Sequence, residues 1–177
     1  VEKSPQALAV YAACVAAGVI FLPLNSGYTA AEIDYFIENS GAEMMLCDGA
    51  AYETLTPLAA KYKAELLVLN SDGSGSFSKR ADDQPDHFDV CPRTADDLAA
   101  FLYTSGTTGR SKGAMLSQNN LLSNAQTLAD YWHFSKSDVL LHALPIFHTH
   151  GLFVATNICL LTGCAMRFYP SFDRSTL

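Results

Sequence analysis

Short apolar runs alternate with amphipathic stretches along the first 70 residues. The runs at 19–22, 44–47 and 66–69 have the length of strands and contain only apolar residues. The stretches between them place apolar residues at helical spacing, and one begins at Thr29 and Glu32, which fit a capping box. Continuous apolar runs are typical of strands that are covered on both faces. The pattern predicts an α/β fold with a largely parallel sheet flanked by helices.

The same alternation resumes beyond Thr94. We predict three further strands, at 98–103, 113–116 and 166–169. A helix is expected after an N-cap at Ser117 or Asn119, and a second one at 152–161, before Gly163. The polar segment between the two halves, at 71–93, contains no apolar run and predicts an exposed connection with room for a short helix. The chain is thereby divided into an αβ segment at 1–70, this connection, and a second segment at 94–177.

The charge balance limits the classes of partner. The chain carries 11 Lys and Arg against 18 Asp and Glu, for a formal net charge of −7 over 177 residues. An acidic chain has no general attraction for nucleic acid or an anionic membrane surface, so we expect neither as a partner. Because the chain is acidic, any anionic ligand must be held by a local group of donors. Hydrophobic residues make up 49% of the sequence, which is ample for a globular core.

The cysteines indicate a reducing compartment. Five are present, an odd number, and none forms a CxxC pair. Three lie within apolar runs: Cys14, Cys47 and Cys159. We therefore expect reduced, buried thiols rather than disulfides.

The segment at 103–113, YTSGTTGRSKG, is the strongest candidate for a local anion site. It contains three Thr, two Ser and three Gly together with Arg110 and Lys112. Glycines let the backbone approach a ligand closely, consecutive N–H groups surround phosphate oxygens, and Lys112 adds a positive charge. The P-loop pattern GxxxxGK[ST] does not fit, because Ser111 precedes Lys112 and Gly113 follows it. The remaining alternative is a surface hairpin without a ligand.

Two histidines flank a threonine in the segment PIFHTHG, at 145–151. A neutral imidazole at this strand-to-helix junction is suited to orient a carboxylate, and a protonated one to pair with an anion. In an extended segment, His148 and His150 would point to opposite sides. His142 lies nearby, but no acidic or cysteine ligand stands at zinc spacing, so we expect no metal site. A purely structural capping role for the two histidines is the other alternative.

Three stretches resemble the adenylate-forming superfamily, which includes the acyl-CoA synthetases. YTSGTTGRSKGAMLS at 103–117 resembles its phosphate-binding signature, LPIFHTHGL at 144–152 its second core motif, and GVIFLPLN at 18–25 the region upstream of the loop. Within the superfamily the chain is most similar to the malonyl-CoA synthetases, which join malonate to coenzyme A. The resemblance implies that the chain forms part of the large N-terminal domain of such an enzyme.

This resemblance implies a two-step ligase reaction that uses ATP, Mg²⁺ and coenzyme A. A carboxylate, malonate in this case, attacks the α-phosphate of ATP to give an acyl-adenylate and pyrophosphate, and coenzyme A then takes the acyl group and releases AMP. The residues implied to wrap the phosphates are Thr104, Ser105, Gly106, Thr107, Thr108 and Gly109. Lys112 and His148 are the implied catalytic residues. Lys112 supports the loop or the leaving pyrophosphate, His148 lines the acyl site and contacts the carboxylate or the α-phosphate, and His150 lies near the acyl pocket.

We expect the chain to be an internal fragment, because it begins at Val1 rather than Met and the resemblance implies a far longer enzyme. The Mg²⁺ ligands, the ribose-binding aspartate and the C-terminal domain with its catalytic lysine would then lie outside it. Alone, such a fragment is expected to be inactive and to self-associate through an apolar edge. The substrates and reduced thiols indicate the cytoplasm or the mitochondrial matrix. Two alternatives stay open: a ligase for another small or aryl carboxylic acid, and a non-catalytic anion-binding fragment.

Overall fold

The computed structural model describes residues 1–104 and 111–175 and divides into two compact units. The first unit consists of Val1–Ala12 and Leu24–Asp89, and the second of Ala13–Pro23 and Val90–Leu177. The first helix therefore contributes to both units. None of the helices in the described ranges is long and apolar enough to cross a membrane.

Helices and strands alternate along the chain, as the apolar pattern predicts. The α-helices of the described residues are α1 (Pro5–Ala17), α2 (Ala30–Ser40), α3 (Tyr52–Tyr62), α4 (Ser76–Asp82), α5 (Gln118–Tyr131) and α6 (Asn157–Thr162). The strands are β1 (Met44–Cys47), β2 (Glu65–Val68), β3 (Leu98–Thr104), β4 (Lys112–Ser117), β5 (Val139–His142) and β6 (Ala165–Phe168). A 3₁₀ turn at Gly49–Ala51 precedes α3, and a π-helix at His150–Thr156 precedes α6. The α/β prediction is confirmed, and α4 is the short helix within the polar segment.

Helix α2 shows how local signals fix an element of the first unit. The Glu32 N–H donates to the Thr29 hydroxyl at 3.3 Å, and the Thr29 N–H donates to a Glu32 carboxylate oxygen at 2.8 Å, which completes the capping box. The second bond holds the pKa of Glu32 below its usual value. Gly41 ends the helix at a φ of 65°, in the left-handed region that favours glycine. The helix packs Phe36 and Ile37 into the core.

The strands of the described residues form three pairs. In the first unit β1 pairs with β2, and in the second unit β5 pairs with β6, both in parallel. The third pair, β3 with β4 in the second unit, is antiparallel. Parallel pairing therefore predominates, as predicted, and the antiparallel pair is a hairpin around residues 105–111. We refer to β3, β4 and the residues between them as the hairpin.

The strand predicted at 19–22 is wrong, because only one of its residues joins a sheet. The Phe21 N–H donates to Ala99 O, and the Phe101 N–H donates to Phe21 O, both at 2.9 Å. The next ladder bond would require an N–H on Pro23, which proline lacks. On the other side, the Val19 N–H already donates to Cys14 O at 2.8 Å, at the end of α1. The pairing is therefore restricted to an isolated bridge.

Several apolar side chains of the strands are exposed. In β5, Val139 is 53% and Leu141 50% exposed, whereas His142 on the opposite face is buried. Met115 in β4 is also exposed. The pattern in β5 is that of a pair packed on one side, which leaves alternate residues in solvent. Of the runs predicted to be covered on both faces, the one at 44–47 is exposed at Met44, by 48%, so the expectation is wrong there. Self-association through such residues stays a prediction.

Candidate functional site

Two of the predicted phosphate-binding residues lie at the end of the hairpin where the connecting loop begins and ends. Thr104, the last residue of β3, pairs with Lys112, the first residue of β4. The Thr104 hydroxyl donates to the Lys112 carbonyl oxygen at 3.4 Å, a long bond across the base of the loop. The other predicted loop residues, Ser105, Gly106, Thr107, Thr108 and Gly109, lie outside the described residues. The structure thus gives the base of the candidate loop.

The two strands of the hairpin differ in burial. Ala99 and Ala100 of β3 are fully buried, and Ala100 is bridged by Phe21. In contrast, the first four residues of β4, from Lys112 to Met115, are exposed. At Gly113 a Cβ would come within 3.3 Å of Cε1 of Tyr103, so the tyrosine ring lies over this glycine. The hairpin is therefore anchored through β3 and presents β4, with the Lys112 side chain, to solvent.

A capping box at the end of β4 fixes where the hairpin becomes α5. The Asn120 N–H donates to the Ser117 hydroxyl at 3.2 Å, and the Ser117 N–H donates to the Asn120 side-chain oxygen at 2.9 Å. Of the two predicted caps, Ser117 is the correct one. The Asn119 N–H instead donates to Ala95 O at 2.9 Å, which ties the helix start to the turn before β3.

That turn is held by Asp97. The Thr94 N–H donates to Asp97 Oδ2 at 2.6 Å. This backbone hydrogen bond is the main reason that the pKa of Asp97 lies below its usual value, and the side chain of Thr94 and the charge of Arg93 add to it. The Gln118 N–H donates to Asp97 O at 2.9 Å, so the same residue also braces the first turn of α5.

The second candidate site is the stretch from His142 to Thr156, which we call the histidine segment. The sequence predicts a helix from residue 152, but the backbone is already helical at Thr149, and a π-helix begins at His150. A Cβ on Gly151 would lie 2.0 Å from Pro145 O and 2.8 Å from Pro145 C. The absence of a side chain at Gly151 therefore allows the π-helix to start against the Pro145 backbone. Helices of this kind are rare and frequently occur at functional sites.

A buried hydrogen-bond network holds the Gly151 carbonyl. His142 Nε2 donates to Gly151 O at 2.8 Å, and the Thr156 hydroxyl donates to the same oxygen at 2.9 Å. Because a carbonyl only accepts, Nε2 must carry the hydrogen. His142 and Thr156 are each 1% exposed, and the His142 ring packs at 5.2 Å from that of Phe168 on β6. The sequence offered His142 only as a metal ligand, and its structural role required the fold.

His148 and His150 are both exposed at the start of this segment. The ring of His148 lies 4.7 Å from the ring of Phe147, and its carbonyl accepts the Leu152 N–H at 3.0 Å. The assumption of an extended segment is wrong, because Thr149 between the two histidines is helical. That the two imidazoles point to opposite sides stays a prediction. The His148 carbonyl thus takes part in the first helical turn, while its side chain is exposed.

The structure therefore brings the predicted residues into two groups within the second unit. Thr104 and Lys112 face each other in the β3–β4 pair, and His148 and His150 follow β5, which belongs to another pair. Within the described ranges, no group of three His, Cys, Asp or Glu side chains is placed to hold a metal ion.

Sequence comparisons link the chain to ligases of carboxylic acids. A family model described as AMP-binding enzyme matches residues 1–177. The chain is 32% identical to the malonate–CoA ligase of Arabidopsis thaliana over 162 residues, which are 89% of this chain and 26% of that enzyme. It is also 32% identical to a feruloyl-CoA synthase of Amycolatopsis over 169 residues, 96% of this chain and 32% of that enzyme. The chain thus spans about a quarter to a third of these relatives.

Among solved structures, MatB from Rhodopseudomonas palustris is similar in sequence and in fold. The apo and ATP-bound forms each match with a TM-score of 0.95 and 51% identity, over 99% of this chain and 35% of MatB. The similarity covers both compact units and includes the hairpin and the histidine segment.

Proposed function

The chain belongs to the family of AMP-binding enzymes, and we propose that it supplies the phosphate- and acyl-binding part of an AMP-forming acid–CoA ligase. A carboxylate attacks the α-phosphate of MgATP and releases pyrophosphate. The thiolate of coenzyme A then attacks the acyl carbon of the adenylate and releases AMP. ATP is bound in MatB, and both sequence relatives are named for ligation to coenzyme A, which fits these substrates for the family. Malonate is the proposed acid.

The observation that carries the proposal is the paired base of the hairpin. Pairing of Thr104 with Lys112 makes the chain leave and return at one point, with a Gly-, Ser- and Thr-rich loop between. The hydroxyl, ammonium and loop N–H groups are the donors that phosphate oxygens require. In a chain with a net charge of −7, such a concentration of donors is needed to hold a nucleotide.

Lys112 is proposed to stabilise the charge that develops on the leaving pyrophosphate. Its backbone is fixed by pairing in β4, while its exposed side chain is free to follow the phosphate. Preorganised charge at the position where negative charge develops is a major source of rate enhancement. The proposed β- and γ-phosphate ligands are Thr104, Ser105, Gly106, Thr107, Thr108 and Gly109.

His148 and His150 are proposed to serve the acid. The exposed imidazole of His148, beside Phe147, is suited to contact the carboxylate or the α-phosphate as they approach each other. His150 is proposed to line the acyl pocket, where an imidazole is a suitable partner for a second carboxylate. A carboxylate buried without such a partner would be costly, which favours a polar pocket for malonate.

A second candidate acid is an aromatic one. The feruloyl-CoA synthase matches 96% of the chain at the same identity as the malonate–CoA ligase. An aryl acid carries only one carboxylate and would need an apolar pocket instead of a polar one. The two candidates therefore differ in what they require of His150.

The substrate test uses the complete gene product that contains this sequence. AMP release is measured with MgATP and coenzyme A against malonate, methylmalonate, succinate, acetate, benzoate and ferulate. We expect turnover to be greatest with malonate. Turnover with ferulate or benzoate instead would keep the ligase and discard malonate. A folded protein that releases no AMP with any acid would contradict the proposed ligase.

Lys112→Ala tests the role of the hairpin. We expect kcat to fall by about 100-fold, since an electrostatic contact made in the transition state is lost, with stability changed by less than about 0.5 kcal/mol because the side chain is exposed. Lys136→Ala, which removes the same charge from an exposed turn of the same unit, is the control and should retain activity. An equal loss in both variants would point to net charge rather than to the hairpin.

His148→Ala and His150→Ala separate the two histidines. Loss at His148 is expected to lower kcat for every acid, whereas loss at His150 should raise KM for malonate more than for acetate. His133→Ala, an exposed histidine beyond α5, is the control. If both variants matched this control, neither imidazole would serve the acid.

Mg²⁺ is proposed to arrive as the counterion of ATP. The proposed compartment is the cytoplasm or the mitochondrial matrix, where ATP, coenzyme A and reduced thiols occur together.

A further inference from the structure

Two cysteines meet at the turn between α6 and β6. The Sγ atoms of Cys159 and Cys164 are 3.1 Å apart. All five cysteines are free thiols, and within the described parts of the chain no other sulfur–sulfur hydrogen bond joins two of them. This pair therefore differs from the isolated cysteines of both units.

The end of α6 produces the contact. Gly163 follows the helix at a φ of 70°, and its N–H donates to Cys159 O at 2.9 Å. A left-handed residue at this position reverses the chain, so that the next side chain returns onto the last turn of the helix. In most helices that return contact is made by two apolar side chains. Here it is made by the side chains of Cys159 and Cys164.

The two thiols differ in access to solvent. Cys159 is 4% exposed, and burial, with a smaller contribution from the neighbouring thiol, raises its pKa to about 12. Cys164 is only partly buried and precedes β6. A small oxidant from solution therefore meets Cys164 first, with Cys159 directly behind it.

We propose that Cys159 and Cys164 are a redox modification site that closes to an intrachain disulfide. The Cys164 thiolate attacks one oxygen of hydrogen peroxide, which breaks the O–O bond, gives a sulfenic acid and releases hydroxide. The Cys159 sulfur then attacks the sulfenic sulfur and expels a second hydroxide, and the protons of the two thiols convert both hydroxides to water. One peroxide thus oxidises two thiols to a disulfide and two waters, and a thiol reductant such as glutathione reverses it.

The geometry needs little change for this step. A disulfide requires an S–S distance of about 2.05 Å, so the sulfurs must approach each other by about 1 Å from their present contact. Gly163 between them has open space around it, with no atom within 4 Å of the position of a Cβ. The outer side of the turn at Gly163 is therefore open. The disulfide would tie the last turn of α6 to the residue that precedes β6.

The test uses the complete gene product that contains this sequence. The folded protein is oxidised with hydrogen peroxide, alkylated in denaturant and studied by peptide mass spectrometry. We expect a peptide with Cys159 linked to Cys164, lighter by two hydrogen atoms and restored by dithiothreitol. Peroxide should block alkylation of this pair about tenfold faster than alkylation of Cys91, which is also partly exposed but whose Sγ contacts the Pro92 carbonyl oxygen instead of a thiol.

Cys164→Ser and Cys91→Ser are the matched variants. The first should abolish the linked peptide and leave Cys159 open to alkylation after unfolding, and the second should leave the link intact. Wild-type protein in a glutathione redox buffer gives the same answer if Cys164→Ser does not fold. Oxidation of Cys164 to sulfinic acid with Cys159 still a thiol, or disulfides scrambled evenly among the five cysteines, would overturn the proposal.

Discussion

The hairpin and the histidine segment are the two candidate sites of the second unit, and they are built in opposite ways. The hairpin is held by backbone pairing and by buried alanines of β3, and its chemical groups stand in solvent on β4. The histidine segment is held by a buried side-chain network, in which His142 and Thr156 share one carbonyl of the π-helix. Loss of the exposed Lys112 side chain should therefore affect folding little, whereas loss of the buried His142 side chain should destabilise the fold.

Gly151→Ala is expected to break the histidine segment, with the largest effect of the predicted substitutions. A methyl group 2.0 Å from Pro145 O forces the backbone apart. We expect a loss of about 3 kcal/mol or more in the free energy of unfolding, measured by urea titration.

The control for this variant is another glycine. Gly163→Ala meets no atom within 4 Å but stands at a φ of 70°, so it should cost only about 1 kcal/mol for the left-handed backbone. Equal losses at the two positions would mean that the close approach to Pro145 does not decide the structure of the segment.

His142→Ala is expected to cost about 2 kcal/mol. It removes a buried donor to Gly151 O and leaves space beside Phe168. Thr156→Ser keeps the other hydroxyl donor and should cost less than 1 kcal/mol, in the range typical of a lost methyl group. Urea titration of both variants measures the difference. If His142→Ala left the free energy of unfolding unchanged, the contrast with the hairpin would disappear.

Ser117→Ala tests the N-cap at the junction between the hairpin and α5. Loss of the N-cap hydroxyl leaves the Asn120 N–H without its acceptor and should cost about 1 kcal/mol. Asn119→Ala, at the exposed position two residues after Ser117, should change the free energy of unfolding by less than about 0.5 kcal/mol. The reverse order would mean that the helix begins at Asn119.

Asp97→Asn has the smallest predicted effect, which is read most clearly from the pH dependence of stability. The folded-state pKa of Asp97 lies below its unfolded value, because the Thr94 N–H bonds to the carboxylate. The stability from this bond is therefore present above the unfolded pKa, near pH 4, and is lost as the pH falls through the folded one. The parent should lose more of its urea midpoint than Asp97→Asn between pH 6 and pH 3. Identical acid profiles would contradict this role.

The sequence located the elements whose signals are local. Thr29 with Glu32, and Gly163, marked helix ends correctly because a cap needs only its own neighbours. The spacing of YTSGTTGRSKG likewise located the hairpin, since two apolar strands border it directly. Prediction failed at 19–22, where Pro23 and the bond from Val19 to Cys14 O limit the strand to one bridge.

The chain's own sequence determined the α/β alternation and the family, because periodicity, caps and contiguous motifs are properties of neighbouring residues. Tertiary structure alone decided that His142 stabilises Gly151 from nine residues away, and that the backbone at Thr149 is helical. It also decided that Cys159 and Cys164 are partners, although no CxxC spacing marks them. These features depend on which atoms meet after the chain has turned back on itself. Close packing, such as the contact that leaves no room for a Cβ at Gly151, arises only in the folded state.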